Sequence, residues 1–394
     1  MSLQFKVISP IILFFLYLFI IPFLISCEFV SNHDHNKTFV PTRPELQPNN
    51  PKINAQKYGD IYREQDQDFI NAINDPSLTA VTREFGLSKI SIKEFPYSSE
   101  FAIADVKPWS SWWYPKREKN LFDNSKVRSS KDYKNFSTLS KFDLIKKNKN
   151  KNAPSAAAYE KTLYNPNALS WEGLCDAWSI ASILFPEPKR SVTINLNNNY
   201  DIIFEVKDLK ALLLKTFESV DDQYFKYYGQ KFSGQENAWI YPDIFPEQFH
   251  RFLEVQLFEK HKAFIIDTDQ GVEMWNAPVF KANYTMTRIP DEPNSIFVRT
   301  WIYLADSIKT DDHNFVGTKE VVREYDYVLK GDRDSNGDLI VNLGYWVKGP
   351  NNNDSRRDHP DFIILPPDIQ LLKRKSWNPE IDIETVDEIL STSY

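Results

Sequence analysis

The chemistry in this sequence centres on Cys175, one of two cysteines in 394 residues. In "WEGLCDAWSIAS", Leu174, Trp178 and Ala181 recur at helical spacing, and Pro186 ends the pattern. A helix that begins near Cys175 would place backbone N–H groups and a helix dipole beside the sulfur, where they favour a thiolate and can hold an oxyanion. The pattern indicates a nucleophile for acyl transfer, with a small buried core thiol as the alternative.

A nucleophilic cysteine needs a base, and the base needs a group that orients it. His250 follows Cys175 in "FPEQFHRFLEVQLF", and Asp267 comes next in "AFIIDTD". His359, in "SRRDHPDFIILPP", is the alternative base. The apolar residues around His250 fit a helical face better than strict alternation, so its local structure stays open, as does a purely structural histidine.

Three further segments predict elements of the scaffold. Residues 208–220 carry apolar side chains at helical spacing, and residues 262–275 indicate two strands joined by a turn at "DQG". Residues 325–347 indicate a hairpin around "DRDSNGD". That turn begins like a calcium loop, but Leu343 stands where a bidentate Glu is needed, so we predict a plain hairpin turn.

The N-terminus predicts export. Lys6 precedes an apolar stretch over residues 11–25, which leads into "LISC". This ending resembles the signal-peptidase site of bacterial lipoproteins, so residues 1–27 are predicted to be a lipoprotein-type signal peptide with Cys27 as the lipidated residue. An uncleaved membrane anchor over residues 8–26 and an ordinary cleaved signal are the alternatives.

Two regions follow the signal. Residues 28–60 are rich in Asn, Pro and Gln without an apolar period, and predict a flexible tether. Residues 61–394 predict one catalytic domain with an aromatic-rich N-terminal extension. In that extension, "DVKPWSSWWYPKRE" carries clustered tryptophans at positions 109, 112 and 113, which favour a loop folded onto the core over a carbohydrate platform.

Composition excludes several other functions. The net charge is -7 and the sequence predicts no concentrated basic surface, which is what nucleic-acid binding usually needs. Two cysteines cannot form a disulfide framework, and no Cys/His spacing fits a structural zinc site. The chemistry suggested by Cys175 requires neither a metal nor another cofactor.

Several segments in order resemble the transglutaminase elicitor family, whose members are secreted and have papain-like or transglutaminase-like cysteine sites. Together they cover roughly residues 105–370, and their order and spacing carry the resemblance more than any one motif. They are "PWSSWWYP", "SAAAYEK", "WEGLCDAWSIAS", "EPK", "DLKALL", "YYG", "FH", "AFIIDTDQGVEMWNAPV" and "HPDFIILPP".

The resemblance implies an α+β fold of the papain-like or transglutaminase-like kind, with the cysteine at the N-terminus of a helix packed on an antiparallel sheet. It also implies that Cys175 attacks a glutamine carboxamide, releases ammonia and forms a thioester, which a lysine amine or water then takes. His250 would act as base and acid, and Asp267 would orient it. The implied partners are proteins that offer glutamine and lysine side chains.

Residues that would support such a site are also present. In "EMWNAPV", Trp275 and Asn276 match the family motif "VWNQPV", whereas Ala277 replaces its glutamine. Trp178 and Trp275 are candidates to cover the tunnel to the thioester. After the cysteine the family usually has a His or Asn type of residue, and here Asp176 stands there. On a helix its side chain should point roughly 100° away from Cys175, and a closer approach would raise the pKa of the thiol.

The sequence therefore predicts an exported, membrane-anchored protein-glutamine gamma-glutamyltransferase. Its expected location is a bacterial membrane or the cell surface, reached through an N-terminal lipid or, alternatively, a membrane anchor. A cysteine protease or glutamine deamidase on the same site is one rival. A non-enzymatic surface binding or elicitor module is the other, and an unreactive Cys175 would favour it.

Overall fold

The computed structural model describes a defined part of the chain. Its described residues are 5–6, 79–91, 93, 95–129, 132–196, 200–229, 244–268, 273–309, 312–347 and 359–394. The predicted tether and Cys27 lie outside these residues, as does the predicted signal peptide except for its short strand Phe5–Lys6. In the described residues, no helix is both long enough and apolar enough to cross a membrane.

Seven α-helices are described. They are α1 (Ala80–Phe85), α2 (Thr138–Lys149), α3 (Ala156–Leu163), α4 (Cys175–Leu184), α5 (Val206–Lys215), α6 (Pro246–Leu253) and α7 (Ile383–Leu390). Helix α6 continues directly into a π-helical turn, Glu254–Glu259. The predictions of a helix that begins near Cys175 and of a helix within residues 208–220 are thus confirmed by α4 and α5.

Thirteen strands accompany these helices in the described residues. They are β1 (Phe5–Lys6), β2 (Lys89–Ile90), β3 (Tyr97–Ser98), β4 (Ala102–Ile103), β5 (Val192–Leu196), β6 (Tyr200–Phe204), β7 (Lys226–Tyr228), β8 (Phe264–Asp267), β9 (Asn276–Ile289), β10 (Glu292–Ala305), β11 (Glu320–Arg333), β12 (Leu339–Trp346) and β13 (Ile363–Leu365).

The strands form one large antiparallel sheet and one small one. The large sheet has the order β2-β12-β11-β10-β9-β8-β13-β7, and β3 and β4 also pair with β9. Strands β8, β4 and β3 meet β9 one after another along its length. The small sheet has the order β1-β5-β6. Helices packed on an antiparallel sheet confirm the predicted α+β class.

The predicted hairpin is formed by β11 and β12, which pair antiparallel. Its turn is closed by Asp334, whose carboxylate accepts hydrogen bonds from the backbone N–H groups of Asn336 and Asp338. Gly337 adopts the left-handed φ of 82° that such a turn needs. The other prediction was two strands joined by a turn within residues 262–275. Strand β8 lies within this range, and β9 begins just after it. The predicted turn "DQG" falls outside the described residues.

Two large apolar cores and one small apolar cluster lie against the large sheet. Strand alternation separates the two large cores, called here the first and the second core. In β8 and β13, Ile265 and Ile364 belong to the first core, which also contains Cys175 and Trp178. Their chain neighbours belong to the second core, which contains Phe249 of α6; they are Phe264, Ile266 and Ile363. Because successive strand residues point to opposite faces, α4 and α6 lie on opposite sides of these strands.

The aromatic-rich extension is part of the first core. Trp109, Trp112 and Trp113 are each at most 5% exposed, which confirms the predicted core packing over a carbohydrate platform. Lys210 of α5 ties this segment down, because its buried ammonium donates to the Ser110 carbonyl and to the Glu187 carboxylate. The extension is therefore fixed beside the start of α4.

Candidate active site

Cys175 is the first residue of α4 and is 6% exposed. Leu174 occupies the N-cap position and makes no side-chain cap hydrogen bond. Its N–H donates to the Trp113 carbonyl at 2.6 Å, and its carbonyl accepts from the N–H of Trp178 at 2.8 Å. The sulfur thus lies at a helix N-terminus, where backbone N–H groups can stabilise an oxyanion.

Gly173 allows the chain to approach the aromatic extension closely enough to start α4 here. A Cβ at this position would lie 2.7 Å from both the carbonyl oxygen and the ring atom Cδ1 of Trp113. The Trp113 backbone could relieve this clash only by moving, and that movement would disturb the hydrogen bond between the Leu174 N–H and the Trp113 carbonyl. Packing therefore requires a glycine at this position, two residues before Cys175.

We expect Gly173→Ala to destabilise the protein by roughly 1–3 kcal/mol, the usual cost of overpacking. Acyl transfer should fall as well, because the start of α4 must move. Urea unfolding and amine incorporation would measure the two effects. Asn167→Ala, a small change at an exposed position in the same loop, is the control. Equal behaviour of the two variants would contradict the packing argument.

The thiol of Cys175 has two hydrogen-bond acceptors. It donates to Oδ1 of Asp176 over 3.5 Å and to the carbonyl oxygen of Met274 over 3.8 Å. The expectation that Asp176 points away from the sulfur is therefore wrong. Asn276 gives the physical reason, because its side-chain amide donates to the same Oδ1 and holds the carboxylate over the start of the helix.

This environment sets the protonation state of Cys175. Burial raises the pKa of the Cys175 thiol well above its usual range, and the charges of Asp176 and Asp267 raise it further. The resting site therefore holds a neutral thiol at neutral pH, not the thiolate that a helix N-terminus alone would favour. Any reaction at this sulfur would have to remove the thiol proton as the new bond forms.

Asp267 and Asn276 are paired across β8 and β9, directly beneath α4. Asp267 is fully buried, and its Oδ1 accepts from the Trp275 N–H at 2.9 Å. The Asn276 carbonyl accepts from the Ser179 hydroxyl of α4 at 2.9 Å. The structure therefore brings together Cys175, Asp267 and Asn276 of the predicted site residues, and adds the carboxylate of Asp176.

The two predicted tryptophans have different surroundings. Trp178 is buried and donates its indole N–H to the Trp109 carbonyl at 2.8 Å, so this group is engaged in the core. Trp275 is partly exposed and follows Met274, whose carbonyl faces the thiol. Its ring packs edge-on against Trp113 at 5.7 Å. Of the two, Trp275 is the one whose chain neighbour contacts the thiol.

The structure does not bring His250 to Cys175 or Asp267. His250 lies on α6, so the local structure left open is a helix. Its Nδ1 is 2.8 Å from the Tyr327 hydroxyl, and its Nε2 is 3.6 Å from Oε1 of Glu254. Asp267 follows Ile266 and so shares the first-core face with Ile265, whereas α6 packs in the second core. The predicted contact between His250 and Asp267 is therefore absent.

His359 also lies outside the surroundings of the thiol. Its ring stacks on Trp346 with centroids 5.4 Å apart, and Trp346 packs against Phe249 and Tyr327 in the second core. Both candidate histidines are thus held among aromatic rings on the far side of β8. The catalytic roles predicted for Cys175, His250 and Asp267 stay predictions.

Sequence reasoning placed Cys175 at the start of a helix but missed two features of its surroundings. One is the hydrogen bond from the thiol to the Met274 carbonyl, which the residue type cannot indicate because the acceptor is a backbone group. The other is the contact between Asp176 and Cys175, for which the amide of Asn276 was the available signal. Among the described residues, no group of three or more His, Cys, Asp or Glu side chains is arranged to hold a metal ion.

Comparison with known proteins agrees with this fold. The crystal structure of the GP42 transglutaminase from Phytophthora sojae superposes with a TM-score of 0.54 at 18% identity, covering 81% of this chain and 98% of that one. The fold is therefore transglutaminase-like. A family model described as transglutaminase elicitor matches residues 143–295, so the resemblance to that family is confirmed. No curated protein matches the chain in sequence.

Proposed function

We propose that this protein is an exported protein-glutamine gamma-glutamyltransferase that works through a thioester on Cys175. The observation that carries the proposal is the Cys175 thiol, which lies at the first residue of α4 and donates to a carboxylate held by Asn276. The transglutaminase-like fold supports it. The substrates are proteins that offer glutamine and lysine side chains, and nucleic acid is not a partner.

In the first half of the reaction, Sγ of Cys175 attacks the carboxamide carbon of a glutamine. The thiol proton passes to the carboxylate of Asp176, since a neutral thiol must lose its proton as the S–C bond forms. The resulting oxyanion is held by the backbone N–H groups at the start of α4. The C–N bond then breaks, and ammonia leaves with the proton that Asp176 returns.

In the second half, a lysine amine attacks the thioester carbon. The S–C bond breaks, an isopeptide bond forms, and the amine proton returns to Cys175 through the same carboxylate. Water in place of the amine gives a glutamate product, which would make the protein a deamidase. Asp267 keeps the Trp275 N–H and the loop before β9 in place beside the thiol.

The proposed location follows from the N-terminus. We place the protein on a bacterial membrane or at the cell surface, anchored by lipid on Cys27, with the apolar segment itself as the alternative anchor. The predicted tether over residues 28–60 would let the catalytic domain reach protein substrates.

A binding or elicitor module without activity is the second candidate, and one observation favours it. Burial and two neighbouring carboxylates raise the pKa of Cys175, which suits an inert core thiol. Alkylation of the folded protein by iodoacetamide separates the two functions, because a thiol that must meet a substrate has to be reachable by a small reagent.

The decisive assay uses the full chain and measures incorporation of a fluorescent primary amine into a glutamine-rich protein. We expect incorporation and ammonia release, both lost in Cys175→Ala by at least about a thousandfold. Ammonia release without incorporation would mean a deamidase. Peptide fragments from the acceptor protein would mean a protease. Silence in all three assays with an unreactive Cys175 would leave the binding module.

A further inference from the structure

A group of buried polar side chains joins α3 and α5 to the segment that precedes α7. Lys215 of α5 and Asn378 of that segment are fully buried, and Glu160 of α3 is 8% exposed. The Lys215 ammonium lies 2.9 Å from Oε1 of Glu160. The Asn378 amide donates to Oε2 of the same carboxylate at 3.0 Å. One buried carboxylate therefore holds an amine and a carboxamide next to each other, and the reaction proposed for Cys175 uses none of them.

The carboxamide of Asn378 is fixed in one orientation. Its nitrogen also donates to the Ala156 carbonyl at 2.9 Å, and its Oδ1 accepts from the Glu380 N–H at 3.1 Å. A backbone N–H that already meets the amide oxygen can hold the negative charge that forms there when a nucleophile attacks. The group therefore contains an amine nucleophile, a proton carrier that contacts both reactants, and an oxyanion donor, which are the parts that acyl transfer needs.

The charges of this group favour a reaction within it. Lys215 also lies 2.6 Å from Oε2 of Glu218, so one ammonium faces two carboxylates. Charges inside a protein core are costly even when they are paired. A bond between Lys215 and Asn378 would turn the ammonium and one carboxylate into neutral groups. Glu218 would keep its hydrogen bonds from the Ser376 hydroxyl at 3.1 Å and from the Trp377 N–H at 3.2 Å.

We propose that Lys215 and Asn378 form an intramolecular isopeptide bond without help from Cys175. Glu160 takes one proton from the ammonium, and Nζ then attacks Cγ of the carboxamide. Glu160 gives that proton to Nδ2, the Cγ–Nδ2 bond breaks, and ammonia leaves. The extra proton on Nζ then passes to Glu160, which ends as a neutral carboxyl group beside the new amide.

The bond would stabilise this fold in the way that a disulfide stabilises other exported proteins. Residues 28–394 contain one cysteine, so no disulfide can form within them. The link closes residues 215–378 into a loop that contains strands β7–β13. Closing so long a loop removes conformational freedom from the unfolded chain. A cavity of about 300 Å³, lined in part by Glu160, Glu218 and Trp377, gives the released ammonia a path away from the group.

Mass spectrometry of the full chain carrying Cys175→Ala tests the proposal, because the acyl-transfer site cannot make the link in that variant. We expect the denatured protein to be lighter than its sequence by about 17 Da, the mass of one ammonia. Protease digestion should yield two peptides joined through Lys215 and Asn378. The full sequence mass would overturn the proposal. So would a link that forms only when Cys175 is present, or a loss of ammonia located at Asn336, which precedes a glycine and can form a succinimide.

Glu160→Gln tests the proton carrier, because glutamine keeps hydrogen bonds but cannot take the proton. We expect the linked fraction to grow at least about a hundredfold more slowly after synthesis. Glu187→Gln is the matched control, since Glu187 pairs with another buried lysine, Lys210, at 2.8 Å. It should leave the link intact, and circular dichroism checks the fold of both variants. A link that forms at the parent rate in Glu160→Gln would overturn the role of Glu160. If that variant does not fold, the mass of Cys175→Ala still decides whether the bond exists, whatever the activity of Cys175.

Discussion

Asp176→Asn is expected to slow amine incorporation by about a hundredfold or more while making Cys175 more reactive toward iodoacetamide. The two effects have opposite signs for one reason. In the proposed reaction the carboxylate accepts the proton of the thiol that it contacts, so its loss would remove general base catalysis, typically worth 10²–10⁴-fold. Its charge also raises the pKa of that thiol, so its loss increases the thiolate fraction.

Because amine incorporation and alkylation should change in opposite directions, the result distinguishes a proton acceptor from simpler explanations. If Asp176 only suppressed the thiol, both alkylation and amine incorporation would rise in the variant. If the variant misfolded, both would change with the unfolding curve. Asn276→Ala is the matched second variant, because it keeps the Asp176 carboxylate and removes the amide that holds it. We expect it to lower incorporation less than Asp176→Asn does.

The fold could be predicted largely because local patterns determine its elements. The helical spacing of Leu174, Trp178 and Ala181 and the proline beyond them place α4 well. The alternating and apolar runs at residues 262–275 and 325–347 place the strands on which the helix packs. What these patterns determine is where an element begins and which residues it buries.

The side chains that surround Cys175 could not be predicted in the same way. The segment "AFIIDTD" is apolar on both faces. Its sequence therefore does not indicate on which side of the sheet Asp267 lies, or which helix packs on that side. Order along the chain suggested that His250 and Asp267 meet. The structure places α6 in the core opposite that of α4, because β8 buries alternate residues in different cores.

Side-chain direction was the second limit. Helical geometry gives the angle between consecutive Cα–Cβ bonds, and from it Asp176 was expected to lie away from Cys175. The carboxylate turns back because the Asn276 amide, from a strand far along the chain, donates to it. A hydrogen bond between residues so distant in sequence is decided by the tertiary fold, which no local pattern describes.

His250 belongs to a buried polar group that includes Glu254, so replacing that glutamate should reveal its role in stability. Burial by itself would raise the pKa of Glu254, but hydrogen bonds from His250, Ser88 and Arg251 and the charge of His250 lower it to about 2. Relative to an ordinary glutamate this difference corresponds to about 3 kcal/mol in favour of the folded state. Glu254→Gln should therefore destabilise the protein by about 3 kcal/mol at pH 6.

The pH dependence has a definite sign. A carboxyl whose pKa is lower in the folded than in the unfolded chain stabilises the fold fully above its unfolded pKa, and that contribution is lost as the pH falls toward the folded value. The gap in urea stability between the protein and Glu254→Gln should thus narrow as the pH falls from about 4.5 to the folded pKa of about 2. A gap independent of pH would mean that the carboxylate charge is not what stabilises this group.

His250→Gln then separates a structural histidine from a catalytic base. Glutamine can still donate to the Tyr327 hydroxyl or to Glu254, so part of the stability should remain. If His250 is structural, turnover per folded molecule should stay within about threefold of the parent, whereas loss of a general base would lower it by about a hundredfold or more. A fall of that size with an unchanged unfolding curve would return the base to His250 and require the two faces of the sheet to communicate during catalysis.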